Sequence, residues 1–515
     1  MNAVMRTITR LAGLVVMASV ITSACSSPTE NQAPPTERST VFEGARLITG
    51  DGSLPIEDSI FMVTDGVFSL VGRRSEVQVP AGAGRVDLTG KTVMPTMVDL
   101  HGHLGFQNVP AASMSKEMYT RDNLIDHLER LAYHGIGAVV DIADLVDRSD
   151  LHGGRTKWGD VPLRMRNEIV PGAALFKTAG PGIAWPGSGA QGHPSRSDVP
   201  YPVTTVAEAR EAVADYARMN PEFIKIWVDD RDGRAKKLTP PIYRAIAEEA
   251  HARNVPVVAH NVTLADAKEL MRAGVEGWVH TPVRGGDEVD DELIAIVKDR
   301  IAKNDRPNMW MTPGLRPTWM NTFGGTRPAW VDDPLLLDTY SAEQNQQHLV
   351  DDLAHLTKEQ VESARRSLER DGRNTMRLRA AGIRVGLGTD TGQIRHRIAY
   401  FAHLELEALV AVGMSPAEVI VAATRDSADI AKVNTGLVAA GRNADFIVLD
   451  ANPLDNIANT RRINKVYLRG QEVDRAGLRA RWQAQMKSGQ RVTSTSSSAS
   501  RLGPSTSTAR TSPSL

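Results

Sequence analysis

Cysteine is nearly missing from this 515-residue chain, with Cys25 the only one. A single thiol excludes an intramolecular disulfide and any zinc site built from several thiolates. Aromatic residues make up only 5% of the chain, and neither sign of charge predominates, with 60 Lys and Arg against 61 Asp and Glu. Lack of a basic surplus argues against a nucleic-acid partner. Arg6 and Arg10 near one end and Lys487, Arg491, Arg501 and Arg510 near the other leave the body between them mildly acidic. Long apolar runs are also lacking: the one over 11–24 is too short to cross a ~30 Å hydrocarbon core as a helix. What remains is 41% hydrophobic residues, the composition of an ordinary α/β protein, in a chain long enough for roughly two to four domains of ~150 residues.

The ends differ from the body. Two arginines, an apolar stretch and the small pair Ser23-Ala24 precede Cys25, so 1–24 reads as an export signal. The segment 21–25 resembles a bacterial lipobox, with Thr22 where that pattern prefers Leu. It implies lipidation of Cys25 and a membrane held through the lipid, and simple cleavage giving a soluble periplasmic or secreted protein is the alternative. Residues 25–40, rich in Ser, Pro, Thr, Asn and Gln, are expected to form a flexible tether. At the far end 491–515 is dominated by Ser and Thr and lacks the apolar surface that ordering requires. The stretch 476–490 before it reads as a helix or extension.

Between these ends strands and helices alternate. The apolar run 222–228 predicts a strand. Thr239 followed by Pro240 and Pro241 opens a helix to about 253, with proline in the first turn. A strand over 255–260, a helix from Thr263-x-x-Asp266 to 273, read as a capping box, and a strand over 275–280 complete a βαβαβ unit. Further strands are expected at 93–100, 135–141, 173–178, 308–312 and 383–387, and Thr205-x-x-Glu208 caps a helix ending near 220. Eight strands alternating with helices over 91–435 predict an α/β fold, a (β/α)8 TIM-like barrel. The flanks 41–90 and 436–475 show short alternating strands broken by Asp51-Gly52, Asp65-Gly66 and Asn452-Pro453. Each is expected to supply half of one small composite β-sandwich domain.

Chemistry concentrates at the predicted strand ends. His101 and His103 follow the first strand, His260 the fifth, His280 the sixth and Asp390 the eighth, and in a barrel all these ends lie on one face. Two histidines two residues apart on an extended backbone point the same way and suit one metal ion. Lys225 lies inside an apolar strand, where a free ammonium is costly to bury. A salt bridge or a snorkelling stem could account for it. So could carbamylation by CO2, which converts the buried cation into a carboxylate able to bridge two metal ions.

These residues resemble the ligand set of the binuclear amidohydrolase superfamily, in particular its imidazolonepropionase-like and prolidase-like members. The likeness spans 41–475 and rests also on Glu222-Phe-Ile-Lys-Ile-Trp-Val-Asp-Asp230, on Gly388-Thr-Asp-Thr-Gly392 and on 436–450. Pro95-Thr96-Met97 departs from the family's usual Pro-Gly before the His pair. The resemblance implies that His101, His103 and Asp390 hold one divalent ion, most simply Zn2+, and His260 and His280 a second, with the Lys225 carbamate between them. It further implies that a hydroxide shared by the ions attacks, that Asp390 carries the proton, and that the reaction is hydrolysis of an amide-like C–N bond. The expected substrate is a small-molecule amide, an N-acyl amino acid or Xaa-Pro-type dipeptide, with a cyclic amide or phenylurea as the alternative. Two other readings differ in class: a mononuclear deaminase, against which Lys225 speaks, and a binding lipoprotein without catalysis. The loops 178–189 and 313–342, the latter carrying Trp319, Phe323, Trp330 and Tyr340, are expected on the catalytic face, the aromatics serving either substrate contact or plain packing.

Overall fold

The computed structural model describes residues 39–498 apart from 81, 145–160, 190–195, 197–198, 285 and 393–394. Cys25, the export signal and nearly all of the tether lie outside the described residues.

The central strands are short, apolar and buried on both faces, as parallel strands covered by helices must be. Leu175–Thr178, Ile136–Asp141 and Met97–Gly102 form one parallel sheet in that order. A second sheet runs Tyr201–Pro202, Ile183–Ala184, Ile224–Val228, Val257–Asn261, Gly277–Val279, Trp310–Thr312, Arg384–Val385. Backbone bonds run from both margins of the three-stranded sheet to the other: Glu222 N–H, just before Ile224–Val228, donates to Thr178 O (3.1 Å), Leu100 N–H to Leu387 O (2.9 Å) and Asp390 N–H to His101 O (2.9 Å). Helices follow the strands, among them Arg121–Tyr133, Val206–Arg218, Pro240–His251, Leu264–Arg272, Asp291–Ala302 and Lys358–Ala380. Thr205 forms a complete capping box with Glu208. Thr263 caps only one way, because Asp266 turns to the Thr263 hydroxyl (2.6 Å) rather than to its N–H.

The strand expected over 93–100 is two strands. Thr92–Pro95 pairs antiparallel with Phe446–Leu449, whereas Met97–Gly102 joins the parallel sheet. Pro95 has no N–H to continue a ladder, and Thr96 N–H donates to Asp445 O at 3.1 Å, which turns the chain from one sheet to the other. The barrel boundary read at 91 therefore falls inside a sheet that both flanks share: Arg46–Leu47, Thr92–Pro95, Phe446–Leu449, Ile463–Leu468, Gln471–Glu472. A four-stranded sheet of Val67–Arg73, Ser59–Thr64, Ser39–Glu43 and Gly84–Asp87 contributes to the same core. Phe42 stacks on Phe61 (5.0 Å between centroids) and Phe446 on Tyr467 (4.5 Å), with Phe42 edge-on to Phe446 (5.1 Å). The last helix, Arg475–Ser498, carries its backbone beyond residue 490, where the tail was expected to begin. Its anchor is Trp482, fully buried, whose Nε1–H donates to Asp126 at 2.7 Å while the Arg130 guanidinium lies 4.5 Å from its ring.

Candidate metal centre

Period-two alternation puts Asp99, His101 and His103 on one side of the chain. His101 Nε2 and His103 Nε2 lie 3.2 Å apart, and Asp390 Oδ1 is 3.6 Å from the first and 3.1 Å from the second. These three ligand atoms are close enough to share one metal ion. His280, just past its strand, brings Nε2 to 4.0 Å from Asp390 Oδ2 and its ring to 4.8 Å from that of His101. The His260 ring lies 5.1 Å from that of His280. Lys225 sits fully buried in Ile224–Val228, its Nζ 4.9 Å from the Trp227 ring centroid and without a hydrogen-bond partner. The structure thus brings His101, His103, Asp390, His280 and His260 together, and sets Lys225 on the strand that pairs with that of His260.

Backbone conformation here is unusual. His280 has φ +72° and Asp390 φ +51°, a left-handed conformation that costs energy outside glycine and clusters at functional sites. Gly392, at φ +103°, is required: a Cβ there would stand 1.9 Å from the His103 carbonyl oxygen.

Supporting bonds fix the ligands. The Nδ1 of His103 bonds the Ile142 carbonyl oxygen, which leaves Nε2 as the free lone pair aimed at Asp390. Asp99 accepts from His101 N–H (3.0 Å), Thr389 N–H (3.1 Å) and the Thr389 hydroxyl (2.6 Å), tying the first ligand strand to the last, and burial pushes its carboxyl up to about 7. Asp141 accepts from Leu104 N–H at 2.9 Å and holds the turn after His103. His260 Nε2 lies 3.2 Å from Asp229 Oδ2 and 3.1 Å from Arg284 Nη2. A neutral ring serves only one of them at a time, and burial keeps His260 neutral by lowering its pKa to about 3. Burial likewise holds His101 and His280 well below the ordinary imidazole range, and the Lys225 amine well below that of a lysine. Burial pushes the Asp390 carboxyl up, but the pull of His101, His103 and His280 outweighs it and leaves the group well below the usual carboxylate range. An ionised carboxylate among imidazoles that give up their protons readily is the donor set a divalent cation requires, since a bound cation would take the place of the imidazolium charge facing Asp390.

Sequence reasoning missed Asp99, Asp229, Arg196 and Arg284. The Asp99-x-His101 alternation was a usable signal for the first. Arg196 has none, since nothing local marks it as buried. The aromatics of 313–342 turn inward: Trp319, Trp330 and Tyr340 are buried, and Tyr340 Oη accepts from Ile398 N–H at 2.7 Å.

The model of the amidohydrolase family matches residues 92–473. The chain belongs to the amidohydrolase family. Membership supports a hydrolase acting on C–N bonds and implies a TIM-barrel-like α/β fold. Among solved structures, the chain is similar to a provisionally assigned prolidase from Bifidobacterium longum at 25% identity, over 88% of this chain and 100% of that one, with TM-score 0.63. A Xaa-Pro dipeptidase with methionine bound in its active site is 18% identical over 84% and 99%, TM-score 0.62. Phenylurea hydrolase B is 21% identical over 85% and 97%, TM-score 0.58. Below 25% identity such likeness carries the fold alone. No match was found among curated proteins.

Proposed function

We propose that this amidohydrolase cleaves the amide of an N-acyl amino acid or Xaa-Pro-type dipeptide at a two-metal centre. The observation that carries the reading is Lys225 Nζ, buried without a partner and near enough to Asp390, His101, His103 and His260 to act on them electrostatically. A lone ammonium there would be costly, whereas a neutral amine can take up CO2, form an N–C bond, release a proton and become the carboxylate that the cluster lacks. His101, His103 and Asp390 would hold one ion and His260 and His280 the other, with the Lys225 carbamate shared. Divalent ions bound there would polarise the amide carbonyl and lower the pKa of water. Asp390, ionised and on the open side of the histidines, accepts the proton of the attacking water and returns it to the leaving nitrogen. The backbone bonds from both margins of the three-stranded sheet to the seven-stranded one support closure into a single (β/α)8 barrel. The five-stranded sheet supports a composite β-sandwich domain.

Zinc reconstitution in bicarbonate, followed by elemental analysis and an amide panel, tests the proposal. Two ions per chain, a carbamate signal in 13C NMR and hydrolysis of panel members are expected, and Lys225→Ala loses the second ion and the activity. A full complement of ions and full turnover in Lys225→Ala would overturn it. The close grouping of His101, His103 and Asp390 favours a one-metal site as the second reading, which one ion per chain and no carbamate would establish. The protein is further proposed to be exported and held at the membrane through lipid on Cys25, a reading supported by sequence alone. Cys25→Ser then moves it to the soluble fraction, and a parent already soluble would refute the anchor.

A further inference from the structure

A guanidinium taken out of water needs an anion, and planar bidentate pairing with a carboxylate is the arrangement it serves best. Arg196 is only 2% exposed, yet its Nε and Nη1 have no hydrogen-bond partner. Among the described residues no carboxylate lies within salt-bridge distance of Arg196 or Arg284. The Nε of Arg284 and the Nε of Arg231 are also buried without partners. Arg231 is half satisfied, by Asp229 at 3.2 Å and by the Gly189 carbonyl oxygen. These cations act on the candidate centre: Arg284 Nη2 is 3.1 Å from His260, Arg231 pairs with the Asp229 that His260 also touches, and Arg196 interacts electrostatically with Asp390 and His103. The acids that face them are Asp390 and Asp229, already engaged by the histidines; Asp371, paired with Arg370 at 2.9 Å; and Asp141, whose proton affinity burial and Asp144 raise. Three guanidiniums that act on the cluster therefore have donors left over.

We propose that Arg196 and Arg284, assisted by Arg231, form the subsite for the substrate's own carboxylate, the one attached to the carbon next to the scissile nitrogen. This rests on the amide-hydrolase reading and names the group its substrates must carry. In such a substrate the carboxylate carbon is three bonds from the carbonyl carbon under attack. Arg284, in contact with a proposed ligand histidine, is placed for that span. Arg196 supplies two unpartnered donor nitrogens, Nε and Nη1, that no carboxylate among the described residues pairs with. A neutral amide would leave these charges buried and unpaired in the complex, so the site discriminates by charge as well as by shape.

The test compares N-acetyl amino acids with their neutral carboxamides on the zinc-loaded enzyme and on Arg196→Met. Parent kcat/KM is expected to favour the acid by on the order of 100-fold, and Arg196→Met to lose most of that preference through KM for the acid while leaving the carboxamide nearly unchanged. Arg196→Lys should recover part of it. Calorimetric titration of the metal-stripped protein with an N-acetyl amino acid gives a second readout, with binding to the parent and none to Arg196→Met. Equal kcat/KM for acid and carboxamide in the parent, or equal weakening of both by Arg196→Met, would overturn the subsite. If the parent cleaves neither these amides nor Xaa-Pro dipeptides, the hydrolase reading fails separately, and the calorimetric contrast still decides what the arginines bind.

Discussion

His127 shows how much a single ring can decide away from the reacting atoms. It is fully buried; its Nε2–H donates to Gln107 O at 2.9 Å, and its Nδ1 accepts from Gly105 N–H at 3.0 Å, so it holds the turn that follows His103. Protonation would place a hydrogen on the nitrogen that must accept. Burial, offset by Asp126 and reinforced by Arg130, lowers its pKa from 6.5 to about 4. The unfolded ring takes a proton below about pH 6.5 and the folded ring only near 4, so this stability is present above 6.5 and is lost as pH falls toward 4. His403, lowered to about 3 by burial, acts in the same sense. Tm is therefore expected to fall between about pH 7 and pH 5, and His127→Asn to flatten that slope; a Tm unchanged across the interval would count against the assignment. At Asp390 the expectation concerns rate. Asn tolerates the left-handed backbone that Asp390 adopts, so Asp390→Asn keeps the fold but cannot accept a proton, and kcat should drop by about 10²–10⁴-fold. Steady-state kinetics on protein of verified metal content would show it, and near-parent turnover would remove Asp390 from proton transfer.

The short strands show which parts of the fold are written locally. The segment around Lys225 was legible because a cation inside Phe223-Ile-Lys-Ile-Trp is anomalous on its own terms, and the histidines because they fall where apolar runs stop. The division at Thr96 was not, since it depends on a bond to Asp445 from the opposite end of the chain. Arg196 stayed hidden for the same reason: its burial is conferred by distant elements. Two sheets meeting over Phe42, Phe61, Phe446 and Tyr467 make that aromatic core the joint between the flanks. Phe446→Ala is expected to cost about 3–5 kcal/mol, read as a shift of the denaturant midpoint. A cost under about 1 kcal/mol would mean that the sheets are held mainly by their ladders. Gly392→Ala, on the loop that carries Asp390, should lower metal content and activity together, because the added methyl must displace the His103 carbonyl. Unchanged metal binding would show that the loop can yield.

At the scale of the molecule, the C-terminal helix fastens onto the helix after the first ligand strand. Trp482 packs edge-on against Tyr133 (5.3 Å between centroids) and under Arg130. Removal of 488–515 is expected to leave stability within about 0.5 kcal/mol, whereas truncation before Trp482 should cost about 3–5 kcal/mol. Thermal melts of the two truncations separate these outcomes, and equal melting would remove the helix from the account. The five-stranded sheet has a consequence in time. Thr92–Pro95 leaves the ribosome about 350 residues before its partner Phe446–Leu449 exists. At about 5–20 residues per second that is a wait of roughly 20–70 s with an unpaired apolar edge. The amino-terminal part of the nascent chain cannot finish folding early, and a product broken off anywhere upstream of residue 446 keeps that edge open to proteases. Completion of this one sheet thereby proofreads the length of the chain.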